Sequence, residues 1–398
     1  MKNQQLRQVS FLCIGVLGLC ATSALANPTE TGTNVYKLEV MTQNLYVGAD
    51  VFRVFDGAPC GPLQSIYQIH ETVQATDFPE RAEAIADAVM RQKPHVIGLQ
   101  EVALIRSQLP SDGAIVPDFQ NGTFRFLPNA EDVVYDYLQI LLDALAARGL
   151  DYVVVDGATS WNADIEFPMA SFDEACNLAS IPMDLRQTDR DVILVRGDLP
   201  TANAANGNFS LNLPVEMNVG EPLLLAFEFT RGFGLVDVTV GKNTFRVVNT
   251  HLEVGDDTDP ASPINLVQFV QAAELIGAVT GAPLPLVVMG DFNSSPSVFD
   301  PRPAYDMMTE VGYTDLWNLR QGRPDQGFTC CQDELLRNED TALFERVDLV
   351  FAFLPPGAEL MPIQSRVVGD SDNDKTASGM WPSDHAAVVS TLRFKRRR

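Results

Sequence analysis

The chain has 398 residues, 46% of them hydrophobic, and carries a formal net charge of −24 at pH 7. That length and composition indicate a soluble globular protein with a sizeable core, arranged as one large domain or two ordinary ones. A surface so acidic repels phosphate backbones and anionic lipids, which excludes a broad basic stripe of the kind that reads nucleic acids.

The first element in chain order is a predicted secretory signal. Lys2 and Arg7 precede an apolar run over 11–20, and residues 24–26 are Ala-Leu-Ala, the small-residue spacing that signal peptidases accept. We therefore predict a signal peptide over residues 1–26 and a secreted or periplasmic protein. The apolar run is too short to cross a bilayer and no longer run follows, so the mature chain is expected to lack a transmembrane segment.

Residues 35–394 are predicted to form one domain, because no Pro/Gly-rich linker or internal repeat divides them. Apolar residues recur at three- and four-residue spacing in three stretches, which predicts helices at 81–91, 133–147 and 264–279. Short apolar or alternating runs predict strands at 38–41, 96–99, 152–155, 192–195, 223–229, 235–240, 245–248, 286–289, 347–353 and 386–392. Many strands with few helices favour a two-layer β core flanked by helices. Segments rich in Pro, Asn, Asp and Gly are predicted to be loops or insertions: 50–80, 107–130, 157–186 and 201–221.

Four cysteines remain after the predicted cleavage: Cys60, Cys176, Cys330 and Cys331. In an exported protein an even number predicts two disulfides, for which three connectivities exist. Neighbouring cysteines rarely bond to each other without strain, so we expect Cys330 and Cys331 each to pair with Cys60 or Cys176. A thiolate metal site is the less favoured alternative, because the sequence has no CxxC pair.

Several predicted strands end in the same class of polar residue. In chain order these residues are Asn44, Glu101, Asn249, His251, Asp291 and Asn293. Two further polar clusters open the last two strands, Arg346-Val347-Asp348 and Ser383-Asp384-His385. Strand ends are where side chains from distant segments converge on a ligand while the strands hold them rigid.

These side chains offer oxygen atoms or imidazole nitrogen atoms as ligands for a metal ion. Carboxylate and carbonyl oxygens suit hard divalent cations such as Mg²⁺, Mn²⁺ or Ca²⁺. Such an ion beside two imidazoles is suited to phosphate ester cleavage, because the ion offsets charge on the phosphoryl oxygens and an imidazole activates water. Each residue alone also has a structural interpretation, as a turn former or a core histidine. His70 and His95 lack such polar neighbours and are interpreted as structural.

An early MTQN (41–44) and five ordered motifs resemble the endonuclease/exonuclease/phosphatase superfamily. The motifs are LQEV (99–102), NTHL (249–252), GDFN (290–293), RVDLVF (346–351) and SDHAAV (383–388). The resemblance covers nearly the whole mature chain. That superfamily groups deoxyribonuclease-I-like nucleases, neutral sphingomyelinases and inositol-polyphosphate 5-phosphatases. It implies an α/β fold, a four-layer sandwich of two packed mixed β-sheets flanked by helices.

The resemblance also implies a metal site and a water site. Asn44 and Glu101 would hold a divalent cation, most often Mg²⁺, with Glu101 as the direct ligand and Asp384 contributing to the metal region. Asp291 and Asn293 would orient the attacking water and hold the scissile phosphate.

Two imidazoles complete the implied machinery. His385 would act as general base or phosphate donor, oriented by Asp348. His251 would protonate the leaving oxygen or bind phosphate. Three weaker assignments accompany them: Asp189 or Asp191 as the acid behind His251, Arg231 as a phosphate-binding cation, and segment 327–332 (GFTCCQ) as a staple for the loop before Asp348.

The motifs do not fix the substrate. The signal peptide and two apolar, aromatic segments, 223–233 and 354–361, favour a sphingomyelinase- or phospholipase C-like lipid phosphodiesterase with transient membrane-surface contact; core strands are the structural alternative for both segments. A deoxyribonuclease-I-like endonuclease is the alternative, opposed by the acidic surface. The 28 Lys and Arg residues weaken the inositol-polyphosphate branch. A catalytically inactive binding module is the alternative from another class. A monomer is expected.

Overall fold

The computed structural model describes residues 34–396 except 56–57, 119–122, 219–223, 257–258, 260, 282, 297–302, 321–324 and 362. The predicted signal peptide lies outside the described residues, and the prediction of one domain over 35–394 stays a prediction. Within the described part of the chain, none of the helices has the length and apolar character needed to cross a membrane.

The described residues form five α-helices, three short 3₁₀ helices and twenty-two strands. The α-helices are α1 (Pro62–Ala75), α2 (Phe78–Gln92), α3 (Tyr137–Ala147), α4 (Pro263–Val279) and α5 (Pro303–Glu310), and the 3₁₀ helices span Val51–Phe55, Leu316–Leu319 and Asp372–Asp374. The strands are β1 (Asn34–Asn44), β2 (Val96–Gln100), β3 (Leu104–Gln108), β4 (Ile115–Asp118), β5 (Thr123–Phe126), β6 (Asp132–Asp136), β7 (Tyr152–Val154), β8 (Ser160–Pro168), β9 (Ser171–Phe172), β10 (Leu178–Ser180), β11 (Asp184–Arg196), β12 (Thr201–Asn208), β13 (Leu213–Asn218), β14 (Leu224–Phe229), β15 (Gly232–Val240), β16 (Asn243–His251), β17 (Leu286–Asp291), β18 (Thr314–Asp315), β19 (Asp348–Phe353), β20 (Ala358–Leu360), β21 (Gln364–Val368) and β22 (Ala387–Arg396).

Two large mixed sheets form the centre of the fold. The first has the order β20-β22-β1-β2-β11-β3-β6, with β21 beside β22 and with β7 and β8 beside β11. The second has the order β12-β15-β16-β17-β19-β18. In each sheet one parallel pair, β1 with β2 and β16 with β17, lies among antiparallel neighbours. Two smaller sheets, β13-β14-β5-β4 and β9-β10, are added at the side.

The alternation of side chains along the strands separates three core layers. In β11, Ile193 and Val195 pack between the two large sheets, whereas Val192 and Leu194 pack on the side that carries α2 and α3. In β17, Val287 and Met289 join the layer between the sheets, whereas Leu286 and Val288 pack against α4 and α5. Because both faces of these strands are buried, their sequences are continuous apolar runs. The order helix, sheet, sheet, helix confirms the predicted four-layer α/β sandwich.

The helix predictions are confirmed for α2, α3 and α4, and the starts of two of them are shifted. Helix α2 begins at Phe78 and not at residue 81. The helix predicted from residue 133 begins at Tyr137, because residues 132–136 pair with β3 as strand β6 and Asp136 caps the helix by accepting from Leu138 N. The predicted strands are also found, and most are longer than their apolar runs.

The four predicted loop segments were largely wrong. Residues 62–75 form α1, and strands occupy parts of the other three segments. Strand β12 shows why: seven of its eight residues are exposed, so it has no apolar alternation, and it is held by its ladder with β15 at the sheet edge. Backbone pairing of this kind leaves no hydrophobic pattern in the sequence.

The predicted disulfide connectivity was also wrong. Cys60 bonds to Cys176, with Cα atoms 5.0 Å apart, so neither Cys330 nor Cys331 has the expected partner. Cys60 lies just before α1 and faces the turn between β9 and β10. Cys330 is instead held on the other side of the site by backbone hydrogen bonds with Glu345. The spacing of the cysteines along the sequence does not show which of these segments lie next to each other in the fold.

Candidate active site

The polar strand ends meet at one edge of the double sheet. The parallel strands β1 and β2 end at Asn44 and next to Glu101, and β16 and β17 end at His251 and Asp291. Strand β19 runs the opposite way and begins at Asp348, directly across the ladder from Asp291. Because parallel strands finish where antiparallel strands start, all of the predicted site residues come to this edge, including Asp384 and His385 just before β22.

Asn44 links the two sheets at the centre of the site. Its amide nitrogen donates to Glu101 Oε1 and to Asp291 Oδ2, both at 3.0 Å. Its side-chain oxygen Oδ1 accepts from the backbone N–H of Tyr46 at 2.9 Å. The Asn44 amide therefore orients two carboxylates and already has a partner for its oxygen. Glu101 Oε2 is fixed in turn by the N–H of Val47 at 2.8 Å.

Backbone strain is concentrated at the same place. Tyr46, Glu101 and Asn293 have φ angles of 58°, 54° and 46°, in the left-handed region that non-glycine residues seldom adopt. Each such residue costs about 1–3 kcal/mol and persists only where its surroundings over-determine it. Strain of this kind marks a position whose side chain direction matters more than its local stability.

His385 and Asp348 form a buried dyad. The ring nitrogen Nδ1 of His385 donates to Asp348 Oδ2 at 2.8 Å. Burial alone would lower the pKa of His385, but Asp348, Asp384 and Asp291 together raise it well above its ordinary value. Thr329 Oγ1 accepts from the N–H groups of Val347 and Asp348, so the dyad acid is held by segment 327–332.

His251 is held in the opposite protonation state. Arg231 Nη1 lies 3.0 Å from His251 Nδ1, and because a guanidinium only donates, Nδ1 is the acceptor. In the neutral ring the proton is therefore on Nε2, and Nε2 lies 3.6 Å from Asp291 Oδ2. Burial, followed by the charges of Arg231 and His385, lowers the pKa of His251 well below its ordinary value.

Three carboxylates surround the Arg231 guanidinium. Glu253 Oε1 lies 3.5 Å from Nη2, and Asp189 Oδ2 lies 3.9 Å from Nη1. Asp191 faces His251 itself, with Oδ1 3.9 Å from Nδ1. Of the two acids predicted behind His251, Asp191 is thus the one beside the ring, and Asp189 acts through Arg231. A phosphate-binding role for Arg231 stays a prediction.

The donor set fits a hard divalent cation. Among the described residues, three groups have ligand atoms within 4.8 Å of one another. Two consist of carboxylates and an imidazole, Asp291 with Asp348 and His385, and Asp189 with Asp191 and His251, and the third joins Cys330 and Cys331 to His385. Burial raises the pKa of Asp291, and burial together with the nearby Glu101 raises the pKa of Asp384 to about 7. Raised carboxyl pKa values mean that the buried negative charge lacks a counter-charge, which a divalent ion supplies. The predicted ligand set of Asn44, Glu101 and Asp384 stays a prediction.

Several positioning residues were missed by the sequence analysis. Arg81 is fully buried, and its guanidinium donates to the carbonyl oxygens of Leu45, Tyr46 and Pro382, which fixes the loops that carry Asn44 and Asp384. A signal existed, because Arg81 falls on the apolar face of its predicted helix. Glu253, by contrast, follows a motif without any pattern of its own, and Thr329 lies in segment 327–332, whose predicted role as a staple did not single it out.

Comparison with known proteins identifies one sequence family and several similar solved structures. The sequence model of the Endonuclease/Exonuclease/phosphatase family matches residues 41–385. Similar solved structures include truncated TDP2 of Caenorhabditis elegans, with 14% identity, coverage of 90% of this chain and 97% of that chain, and a TM-score of 0.46. A family protein from Bacteroides thetaiotaomicron has 16% identity, coverage of 90% and 98%, and a TM-score of 0.48. A functionally unknown protein from Enterococcus faecalis has 14% identity, coverage of 89% and 99%, and a TM-score of 0.48. No curated protein matches the sequence.

Proposed function

Because the chain belongs to the endonuclease/exonuclease/phosphatase family, whose members are generally hydrolases of phosphoester bonds, we propose that it is a metal-dependent phosphodiesterase. The observation that carries the proposal is the position of Asp291. Its Oδ2 lies 3.6 Å from His251 Nε2 and 3.8 Å from His385 Nδ1, between one neutral and one protonated imidazole. A base flanked by two proton-carrying groups is the arrangement that water attack on a phosphate ester needs.

Glu101 and Asp384 would hold the cation, with Asn44 orienting Glu101. Mg²⁺ is the proposed ion, because carboxylate oxygens in a mostly polar site suit it, and Mn²⁺ and Ca²⁺ are the alternatives. When bound, the ion offsets negative charge on the phosphoryl oxygens and lowers the pKa of a bound water.

Asp291 is proposed to orient the attacking water and accept its proton. Its Oδ1 accepts from the N–H of Asn293 at 2.9 Å and its Oδ2 from Asn44, which keeps the carboxylate in one orientation. The raised pKa of Asp291, caused first by burial, makes the carboxylate a better base. Ser294 does not compete as a nucleophile, because its hydroxyl is buried and accepts from the N–H of Tyr305.

The two imidazoles are proposed to hold the phosphoryl group and to protonate the leaving oxygen. Two roles were expected for His385, general base or phosphate donor. The raised pKa of His385 favours the second role, because an imidazolium that is hydrogen-bonded to Asp348 can donate a proton but cannot accept one. His251 then binds a phosphoryl oxygen through its Nε2 proton, and the amide nitrogen of Asn293, 3.2 Å from Nε2, is a second donor beside it. Attack is in line and forms no covalent enzyme intermediate.

The test is hydrolysis of bis-p-nitrophenyl phosphate with Mg²⁺, Mn²⁺ or Ca²⁺, and with EDTA. We expect EDTA to abolish turnover and His385→Ala to lower kcat about 10²–10⁴-fold. His95→Asn is the matched control: His95 Nδ1 accepts from the N–H of Glu39 away from the site, and the asparagine Oδ1 can replace it. Equal activity of His385→Ala and wild type, with both folded, would overturn the proposal.

Secretion and the substrate branch rest on separate observations. The predicted signal peptide over residues 1–26 supports export, and N-terminal sequencing of the protein from culture medium and from periplasm tests it. A lipid phosphodiester is the proposed substrate class, and an endonuclease is the alternative. Membrane-surface contact and a monomeric state stay predictions. An inactive binding module is disfavoured because His251, Asp291, Asn293, Asp384 and His385 are all present.

A further inference from the structure

A large cavity opens from the catalytic residues into an apolar part of the molecule. Its volume is about 580 Å³, and Glu101, Asp291 and His385 line one part of it. The remainder is lined by the 3₁₀ helix over 51–55, by α1 and by the strands β8 and β11. Cavities of this size bury most of a small organic ligand.

We propose that this cavity is a chain subsite, which holds one aliphatic chain of an amphiphilic phosphodiester while the phosphate lies among the catalytic residues. The proposal rests on the proposed function and names the substrate class for the same site. The occupant is a single alkyl or acyl chain that enters the protein, and no contact with a membrane surface is required.

The chemistry of the wall favours an aliphatic chain. Ile66, Ile69 and Val73 line the cavity from one side of α1, at the three- and four-residue spacing of a helix face. Ile165 and Leu185 line it from the paired strands β8 and β11. Branched aliphatic side chains offer no hydrogen bond to a base edge or a sugar hydroxyl, so burying such a polar group here would cost free energy.

The charge of the lining disfavours a substrate with many phosphates. Among the described residues that line the cavity, Arg231 is the one guanidinium, and it is engaged with His251 and Glu253. Carboxylates of Asp50, Glu334 and Glu345 line the cavity as well. A nucleic acid would bring several phosphates to a lining that holds these three carboxylates, and the nearby guanidinium of Arg53 is already paired with Glu334 at 2.7 Å. A diester with one phosphate avoids that repulsion.

The wall is built before any substrate arrives. The Cys60–Cys176 disulfide ties the start of α1 to the turn after β9. Phe52 of the 3₁₀ helix contacts Phe229 at the end of β14, with ring centroids 5.6 Å apart. A preformed apolar subsite saves the ordering cost that a flexible one imposes on binding. Segment 50–80, expected from the sequence to be a loop, thus supplies one side of the cavity.

The experiment is a chain-length series of p-nitrophenyl alkyl phosphates with methyl, butyl, octyl and dodecyl chains, each assayed below its micelle concentration. Each methylene that enters the cavity should raise kcat/KM about threefold to fourfold until the cavity is full. We expect Ile165→Trp, which fills the cavity, to remove most of this dependence and to leave the methyl ester rate near that of wild type. Val153→Trp is the matched control, since Val153 is also a β-branched strand residue but is 45% exposed on β7.

A binding measurement separates the subsite from the chemistry. Calorimetric titration of the EDTA-treated wild-type protein with hexyl- and decylphosphocholine should give a lower Kd for the longer chain. Hydrolysis of the methyl ester with no effect of chain length would overturn the subsite and leave the proposed function standing. Chain-length-dependent binding without hydrolysis of any ester would support the subsite and overturn the proposed function. Faster cleavage of a DNA oligonucleotide than of every alkyl ester would overturn the subsite in favour of a nuclease.

Discussion

Replacing Gly290 by alanine tests how closely the strands that carry the site are packed. Gly290 pairs with Thr250 in the parallel ladder of β16 and β17, one residue before His251 pairs with Asp291. A Cβ atom at Gly290 would lie 1.9 Å from the carbonyl oxygen of Thr250, and the φ angle of Gly290 is +149°. Because both obstacles are backbone, the two strands have to move apart where His251 and Asp291 meet.

The expected cost follows from these two obstacles. Overpacking in a core typically costs about 1–3 kcal/mol, and a backbone angle reserved for glycine costs about 1–3 kcal/mol. We therefore expect Gly290→Ala to lower the free energy of unfolding by about 2–5 kcal/mol. Activity should fall further than the folded fraction does, because the distance between Asp291 and His251 changes in the molecules that still fold.

The assay is urea unfolding followed by tryptophan fluorescence, together with metal-dependent hydrolysis of bis-p-nitrophenyl phosphate. Gly277→Ala is the matched control: Gly277 lies in α4, and an added Cβ there meets no atom within 4 Å. That substitution should stabilise the protein by about 0.5–1 kcal/mol. A Gly290→Ala protein with the stability and rate of wild type would refute the reasoning.

Three further predictions concern the dyad, a buried ion pair and the metal. Asp348→Asn should lower kcat about 10²–10⁴-fold with a smaller change in KM, and an unchanged kcat would contradict the dyad. Asp315→Ala should cost about 3–5 kcal/mol in urea unfolding, because it leaves the buried guanidinium of Arg346 without its 2.7 Å partner; a loss below about 1 kcal/mol would contradict this. Burial and Glu101 raise the pKa of Asp384 from 3.8 to about 7, so the folded metal-free protein holds an extra proton and loses stability as pH rises from about 4 to about 7. Adding Mg²⁺ should therefore raise the melting temperature more at about pH 8 than at about pH 5, and an equal shift at both would contradict this.

The position of the site was predictable from the sequence because it depends on strand ends. Asn44, His251 and Asp291 each close an apolar run, and parallel strands that end together bring such residues to one sheet edge. A two-layer β core flanked by helices followed from the same runs, since strands buried on both faces need a covering layer on each side, and the family resemblance implied the four-layer sandwich. These features depend on short stretches of neighbouring residues and can therefore be predicted from the sequence.

What was missed depends on contacts between distant segments. Helix α1 has a mixed apolar and polar sequence over 62–75, and its Ile66 packs in one cluster with Met169 and Met217, which lie more than a hundred residues later. The Cys60–Cys176 bond spans 116 residues and could not be chosen over its alternatives by spacing. Arg81 satisfies carbonyl groups from two loops that only the folded chain brings together. Local sequence patterns do not show which distant segments are in contact in the fold.

The most direct test of the central claim is hydrolysis of bis-p-nitrophenyl phosphate in water labelled with heavy oxygen, with Mg²⁺ and with EDTA, by the mature protein. If water attacks phosphorus at a metal-dependent site, the label appears in the p-nitrophenyl phosphate product, none appears in p-nitrophenol, and EDTA stops the reaction. Label in p-nitrophenol, hydrolysis that continues in EDTA, or no hydrolysis by folded protein with any of the three metals would contradict the claim.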